Sequence, residues 1–125
     1  MRVRLAGSIG LALLALAAPA AAEVRLLMIE ARGCPWCARW HAEVGDAYPQ
    51  TPEGRIAPLE RAEIRALPPG VALQAPAVFT PTFVLLHDNA EVGRIEGYPG
   101  EEFFWPLLGG LIARLPESLR KDPGP

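Results

Sequence analysis

Apolar and polar positions divide the 125-residue chain into short, well-separated runs. Leu5 to Ala18 is apolar apart from Ser8 and small residues, and Pro19 ends it. Val24 to Ile29 (VRLLMI) is mostly apolar with β-compatible residues, which predicts a buried strand. Ala31-Arg32-Gly33 breaks it. Pro35 then suits the first turn of a helix, where its missing N–H is not needed. The helix continues through Ala38 to Val44, with Trp36, Trp40 and Val44 spaced four apart on one face. Pro49, Pro52 and Gly54 predict its end and a loop. Ile56 to Ile64 (IAPLERAEI) mixes apolar and charged residues; it predicts a second strand within it, although a helical turn fits almost as well. Leu67 to Pro76 (LPPGVALQAP) is interrupted by three prolines and a glycine. Thr82 to His87 (TFVLLH) predicts a strong strand, Asp88-Asn89 a turn and Glu91 to Ile95 a partner strand. After Gly97-Tyr98-Pro99-Gly100, residues Glu101 to Leu115 predict a last helix, with acids in its first turn and Arg114 near its end. Gly109-Gly110 weakens its middle. The polar, proline-flanked tail 116–125 is expected to fray. Strand, helix, strand, hairpin and helix in this order imply an α/β fold, a mixed sheet with helices packed on it in a single domain.

The first residues change the compartment. A short basic start (Met1-Arg2-Val3-Arg4), the apolar run, Pro19 and Ala20-Ala21-Ala22 form the pattern of a secretory signal peptide over residues 1–22, with cleavage between Ala22 and Glu23. The competing assignment, a membrane anchor, is disfavoured because the run is shorter than the roughly 20 residues a spanning helix needs. The mature domain is then 23–125, without membrane insertion, and carries 10 basic against 14 acidic residues, net −4. It has no run of like charges, so a nucleic-acid footprint is absent.

Within this domain the two cysteines, Cys34 and Cys37, are the only ones in the chain. Export places them where disulfides persist. As a structural staple, so short a loop would contribute only about 2 kcal/mol and constrain nothing distant. Placed on the predicted helix, Cys34 falls at the N-cap, where unpaired N–H groups and the helix dipole stabilise a thiolate. Cys37 lies about one turn along, within disulfide reach and more sheltered. One exposed, low-pKa sulfur and one sheltered sulfur are what thiol–disulfide exchange requires. A metal site would need two further ligands, and His41 and His87 offer only awkward geometry; both are expected to be solvated or capping residues. Thr80-Pro81 stands directly before the strongest strand, where a proline costs the sheet little.

The combination of an exported chain, a strand followed by a Cys34-Pro35-Trp36-Cys37 helix, and Thr80-Pro81 before a hairpin and a final helix resembles the thioredoxin superfamily. The resemblance spans about residues 24–115 and implies a thioredoxin-like fold with a four-stranded mixed sheet flanked by helices. It also implies that Pro81 is a cis-proline against the active-site disulfide, that Thr80 pairs main chain to main chain with a bound substrate, and that Gly97 lies beside the same groove. At finer level "GCPWCARW", "FTPTFVLL" and "GRIEGYPGEEFFW" resemble the SoxS-type periplasmic thioredoxins of bacterial sulfur-oxidation (Sox) gene clusters. That resemblance implies a periplasmic reductase with no cofactor beyond its own disulfide. Its implied partner is the SoxYZ carrier complex, and its implied electron donor a membrane thiol carrier of the DsbD or CcdA type. The chain departs from typical thioredoxins in three ways. Pro35-Trp36 stands between the cysteines in place of Gly-Pro. Gly33 replaces the tryptophan before the first cysteine. Met28 occupies the position of the acid that thioredoxins bury beneath the disulfide, leaving Glu30 as the nearest carboxylate, either a substitute acting through water or, as an acid at a strand end is expected to be, simply solvated.

Among the aromatics, Trp36 is expected to be exposed at the helix tip and to contact partners, whereas Trp40, Phe79, Phe83, Phe103 and Phe104 are expected in the core. Tyr98 and Trp105 fit either setting. Arg39 either lowers a thiolate pKa or is a plain exposed arginine. Two other functions fit the same residues: a disulfide oxidase or isomerase of DsbA or DsbC character, and a non-catalytic binding, regulatory or metal-handling module.

Overall fold

The computed structural model describes residues 7, 10–15 and 23–125. Most of the expected signal peptide, residues 1–6, 8–9 and 16–22, lies outside the described residues. No helix among the described residues is long and apolar enough to cross a membrane.

Four strands form one sheet in the order β2-β1-β3-β4: β1 (Val24–Glu30), β2 (Leu59–Glu63), β3 (Thr82–His87) and β4 (Ala90–Glu96). β1 runs parallel to β2 and antiparallel to β3, which pairs antiparallel with β4. The sheet is therefore mixed, as the element order implies. Asp88 and Asn89 adopt positive φ at the hairpin turn, a conformation that Asp and Asn tolerate better than most residues.

Side chains alternate across the central strands and build two separate cores. Leu26 and Met28 of β1 and Phe83 and Leu85 of β3 face Trp40, Val44, Tyr48, Phe104 and Leu108. Leu27, Ile29, Val84 and Leu86 face the opposite way. All three helices gather on the first face: α1 (Pro35–Trp40), α2 (Pro52–Ile56) and α3 (Glu101–Ile112). The second face is covered by the irregular chain 64–77, through Ile64, Leu67, Val71, Leu73 and Ala77. Pro68, Pro69, Gly70 and Pro76 deny this segment a helix, so it lies on the sheet as a lid. Asn89 accepts from the Ala72 N–H at 2.8 Å, and Glu91 accepts from the Gln74 N–H at 2.7 Å.

Three stretches differ from expectation. The helix after the cysteines changes to a π turn over His41–Gly45, a form that often marks functional positions. Where Pro49, Pro52 and Gly54 predict a loop, a 3-10 turn (Tyr48–Gln50) and α2 form. Thr51 caps α2, accepting from the Gly54 N–H at 3.0 Å, and Pro52 occupies the first turn. Gly54 is required there, because a Cβ would lie 1.8 Å from the Tyr48 carbonyl oxygen. Finally, the C-terminal segment carries a 3-10 turn (Glu117–Leu119), and both oxygens of Asp122 accept from Arg55 at 2.7 Å. This pairing lowers the Asp122 carboxyl to about 2.

Candidate active site

β1 delivers the chain to a short turn, and α1 begins immediately after Cys34. Cys34 is the N-cap, with extended backbone, and its Sγ accepts from the Cys37 N–H at 3.1 Å. Pro35 takes the first helical position, as its fixed φ favours. Cys34 and Cys37 are joined as a disulfide with Cα atoms 5.3 Å apart. The two sulfurs have unlike surroundings: Cys34 is half-buried at the helix tip, whereas Cys37 is 4% exposed and belongs to the main core.

The Thr80–Pro81 peptide bond is cis, and Pro81 is buried at the entry to β3. Thr82 Oγ1 donates to the Phe79 carbonyl at 2.6 Å, and the Gly97 N–H donates to the Pro81 carbonyl at 2.7 Å. Gly97 has φ +80, a conformation that side chains disfavour. Trp36, Phe79, Thr80, Gly97, Tyr98 and Pro99 line a cleft of about 450 Å³ on this side of the helix tip. The structure thus brings Trp36, Thr80 and Gly97 to one cleft, with Pro81 directly behind Thr80. Trp36 is 51% exposed, and the Arg39 guanidinium lies 5.7 Å from its ring centroid.

Arg39 is also paired with Glu43, which in turn accepts from the Tyr98 hydroxyl at 3.0 Å. Burial and this hydrogen bond push the Tyr98 phenol up to about 12. Tyr98 is buried, as are Trp40, Phe83 and Phe104, and Trp105 stacks on Tyr48 with ring centroids 6.0 Å apart. Phe79 and Phe103, expected in the core, are 57% and 62% exposed. Phe79 lies in the loop that rims the cleft, and Phe103 is on the outer side of α3, one residue from the buried Phe104.

Glu30 and His41 also differ from expectation. Neither is simply solvated: His41 Nε2 lies 2.6 Å from Glu30 Oε1, and Arg61 Nε donates to Glu30 Oε2 at 2.6 Å. Burial alone would raise the Glu30 carboxyl; hydrogen bonds from Arg61 and His41 outweigh it and hold the group below the usual carboxylate range. His87 lies at the far end of β3, 3.5 Å from Asp88. No cluster of metal-ligating side chains occurs among the described residues.

Glu30, His41 and Arg61 as a group were not legible as part of the site. The sequence signals were the four-residue step from Cys37 to His41, which puts both on one helical face, and the place of Glu30 as the carboxylate nearest the cysteines.

The chain aligns with the crystal structure of the periplasmic thioredoxin SoxS from Paracoccus pantotrophus in its reduced form, at 57% sequence identity and a TM-score of 0.72. The alignment covers 74% of this chain and 98% of that one. No protein-family model and no curated protein sequence matches the chain. An identity of this size over nearly the whole of the solved protein, together with a paired Cys34–Cys37 at a helix start and a cis-proline at the start of β3, settles the family: this chain belongs to the SoxS-type periplasmic thioredoxins, thiol–disulfide oxidoreductases.

Proposed function

We propose that the protein reduces disulfides of a periplasmic partner, with Cys34 as the attacking sulfur and Cys37 as the resolving one, and that this partner is the SoxYZ carrier complex. The observation that carries the reading is the asymmetry of the two sulfurs. Cys34 is reachable at a helix start and its Sγ already accepts a backbone N–H, an arrangement that stabilises a thiolate. Cys37 is sheltered in the core, so it meets a disulfide only after Cys34 has formed one.

The substrate chain lies in the cleft beside Thr80 and Pro81, pairing with the Thr80 main chain, with Gly97 leaving room and Trp36 giving an apolar contact. Pro35 shapes the helix start. Residues 1–22 direct export and are removed, leaving 23–125 as the working domain. Within the Sox system the substrate is the carrier's cysteine, trapped as a disulfide or adduct. Electrons arrive through a membrane thiol carrier of the DsbD or CcdA type, because the periplasm has no thiol pool of its own.

The test is to equilibrate the protein with glutathione buffers and then to react its reduced form with SoxYZ in the disulfide state. A potential near −270 mV, about that of thioredoxin, and release of SoxYZ thiols are expected. A Cys34→Ser variant is expected to release none. A potential near −120 mV, about that of DsbA, would make the protein a disulfide donor and end the repair role.

A further inference from the structure

A second cleft of about 420 Å³ is lined by both cysteines, Glu30, His41 and Arg61. Three charged groups from three elements meet there: Glu30 closes β1, Arg61 lies on β2, and His41 opens the π turn. The Glu30 carboxylate is 13% exposed and is gripped from both sides, by His41 Nε2 and by Arg61 Nε. Its charge, opposite to that of Arg61, leaves the pair neutral. The sum over the cleft is therefore set by His41: zero with a neutral imidazole and +1 with an imidazolium. Imidazole is the side chain that changes charge near neutral pH.

The orientation of the ring excludes a simpler role. With Nε2 committed to Glu30, the other nitrogen, Nδ1, faces Gly45; a Cβ at Gly45 would lie 3.3 Å from it. Neither nitrogen is turned to a sulfur, so His41 acts on the cysteines through its charge. The flanking groups leave that charge uncompensated. Arg39 and Glu43, beyond the cysteines on the helical side, neutralise each other. Glu63 on β2 and the exposed Arg32 in the turn after β1 border the neighbouring hollow beside Glu30 and Arg61 and are opposite in charge, so together they add nothing to the sum. The fourth wall is apolar, the Trp40 ring meeting the His41 ring edge-on with centroids 5.2 Å apart.

We propose that His41, held by Glu30 and Arg61, is a positioning residue that ties the reducing strength of the Cys34–Cys37 pair to pH. This inference rests on the reading of Cys34 as the attacking sulfur. The chemistry it modulates is balanced. The Cys34 thiolate attacks the partner disulfide, a Cys34–partner bond forms, and the partner's second sulfur leaves with the electron pair and takes a proton from water. Cys37 then loses its proton to solvent in the cleft and attacks Cys34, and the first partner sulfur leaves as a thiolate. Two electrons pass from this chain to the partner. An imidazolium at His41 stabilises the thiolate of the reduced pair and does nothing for the uncharged disulfide. Wherever Cys34 is ionised, an imidazolium at His41 therefore favours the reduced form and makes the protein a weaker reductant than the same chain without that charge.

The experiment is the glutathione equilibrium of the protein and of its His41→Gln and Arg61→Gln variants from about pH 5 to about pH 8, across the range in which imidazole titrates. At the alkaline end His41→Gln is expected to match the wild type. At the acid end the two should diverge roughly three- to tenfold in equilibrium constant, the variant being the stronger reductant, as one partly screened charge predicts. Tenfold corresponds to about 30 mV for a two-electron couple. Arg61→Gln should be the stronger reductant at every pH while keeping the bend that His41→Gln loses. Coincidence of the wild-type and His41→Gln curves at all pH values would overturn the proposal, as would an Arg61→Gln curve lying on the wild type. Failure of the wild type to reduce any protein disulfide would instead remove the reading of Cys34 on which the proposal stands.

Discussion

Two sulfurs three residues apart in the chain have unlike surroundings, Cys34 half-buried at the helix tip and Cys37 enclosed in the core. On the proposed roles, replacing Cys37 by serine leaves Cys34 able to attack but nothing to release it. Cys37→Ser is therefore expected to accumulate a stable mixed disulfide with its partner, seen as a thiol-sensitive shift in mass on a non-reducing gel. Gly54 matters for the opposite reason, absence of a side chain. A methyl group there would meet the Tyr48 carbonyl oxygen at 1.8 Å, so Gly54→Ala should cost about 3 kcal/mol or more in chemical denaturation, at the upper end of overpacking. At this scale the Cys34–Cys37 pairing could be read from the spacing of the two cysteines, and the cis bond at Pro81 from the family resemblance. Glu30, His41 and Arg61 could not be read as a group, because their meeting depends on the parallel pairing of β1 with β2, which places Arg61 beside Met28 and within reach of Glu30.

Among the elements, the strands were the most legible, since period-two patterning and the Asp88-Asn89 turn are strong local signals. The helix α2 was hidden because proline and glycine mark both loops and helix ends; only the Thr51 cap distinguishes the two here. The lid over 64–77 is the element with no pattern of its own, and one side chain holds much of it. Glu91, with its side chain 1% exposed, accepts from the Gln74 N–H and from Arg94 Nε at 2.6 Å, while Arg94 also donates to the Ala75 carbonyl at 2.6 Å. Glu91→Ala leaves Arg94 largely enclosed without its partner and frees the Gln74 amide. A loss of roughly 3 to 5 kcal/mol is expected in denaturant titration, the range for breaking a buried pair from one side. Earlier proteolytic cleavage within residues 65–77 should accompany it.

For the whole molecule, pH sensitivity of stability lies on the acid side. The Glu91 carboxyl is lowered by its hydrogen bonds from Arg94, against the effect of burial, and the Glu30 carboxyl is also lowered on balance. A carboxyl with a depressed folded-state pKa contributes stability that is fully present above its unfolded pKa and is lost as pH falls through the folded one. The denaturation midpoint should therefore be level from neutral pH down to the ordinary carboxylate range and should fall steeply below it. Mutating Glu91 to Gln should flatten that fall. The fold class and the redox pair could be read from the sequence at this scale, whereas the unequal dressing of the two sheet faces could not, because it depends on which way a proline-rich segment returns across the strands. That inequality bears on how the protein ages. A face shielded by helices sheds its cover only with the core, but one shielded by a strap of irregular chain can lose it while the rest stands. The stripe then laid bare, Leu27, Ile29, Val84 and Leu86, is flat, aliphatic and built for sheet contact, a ready seed for association between copies. Molecules lost on heating or storage should thus clump from the side opposite the disulfide, and early clumps should still contain a working redox pair.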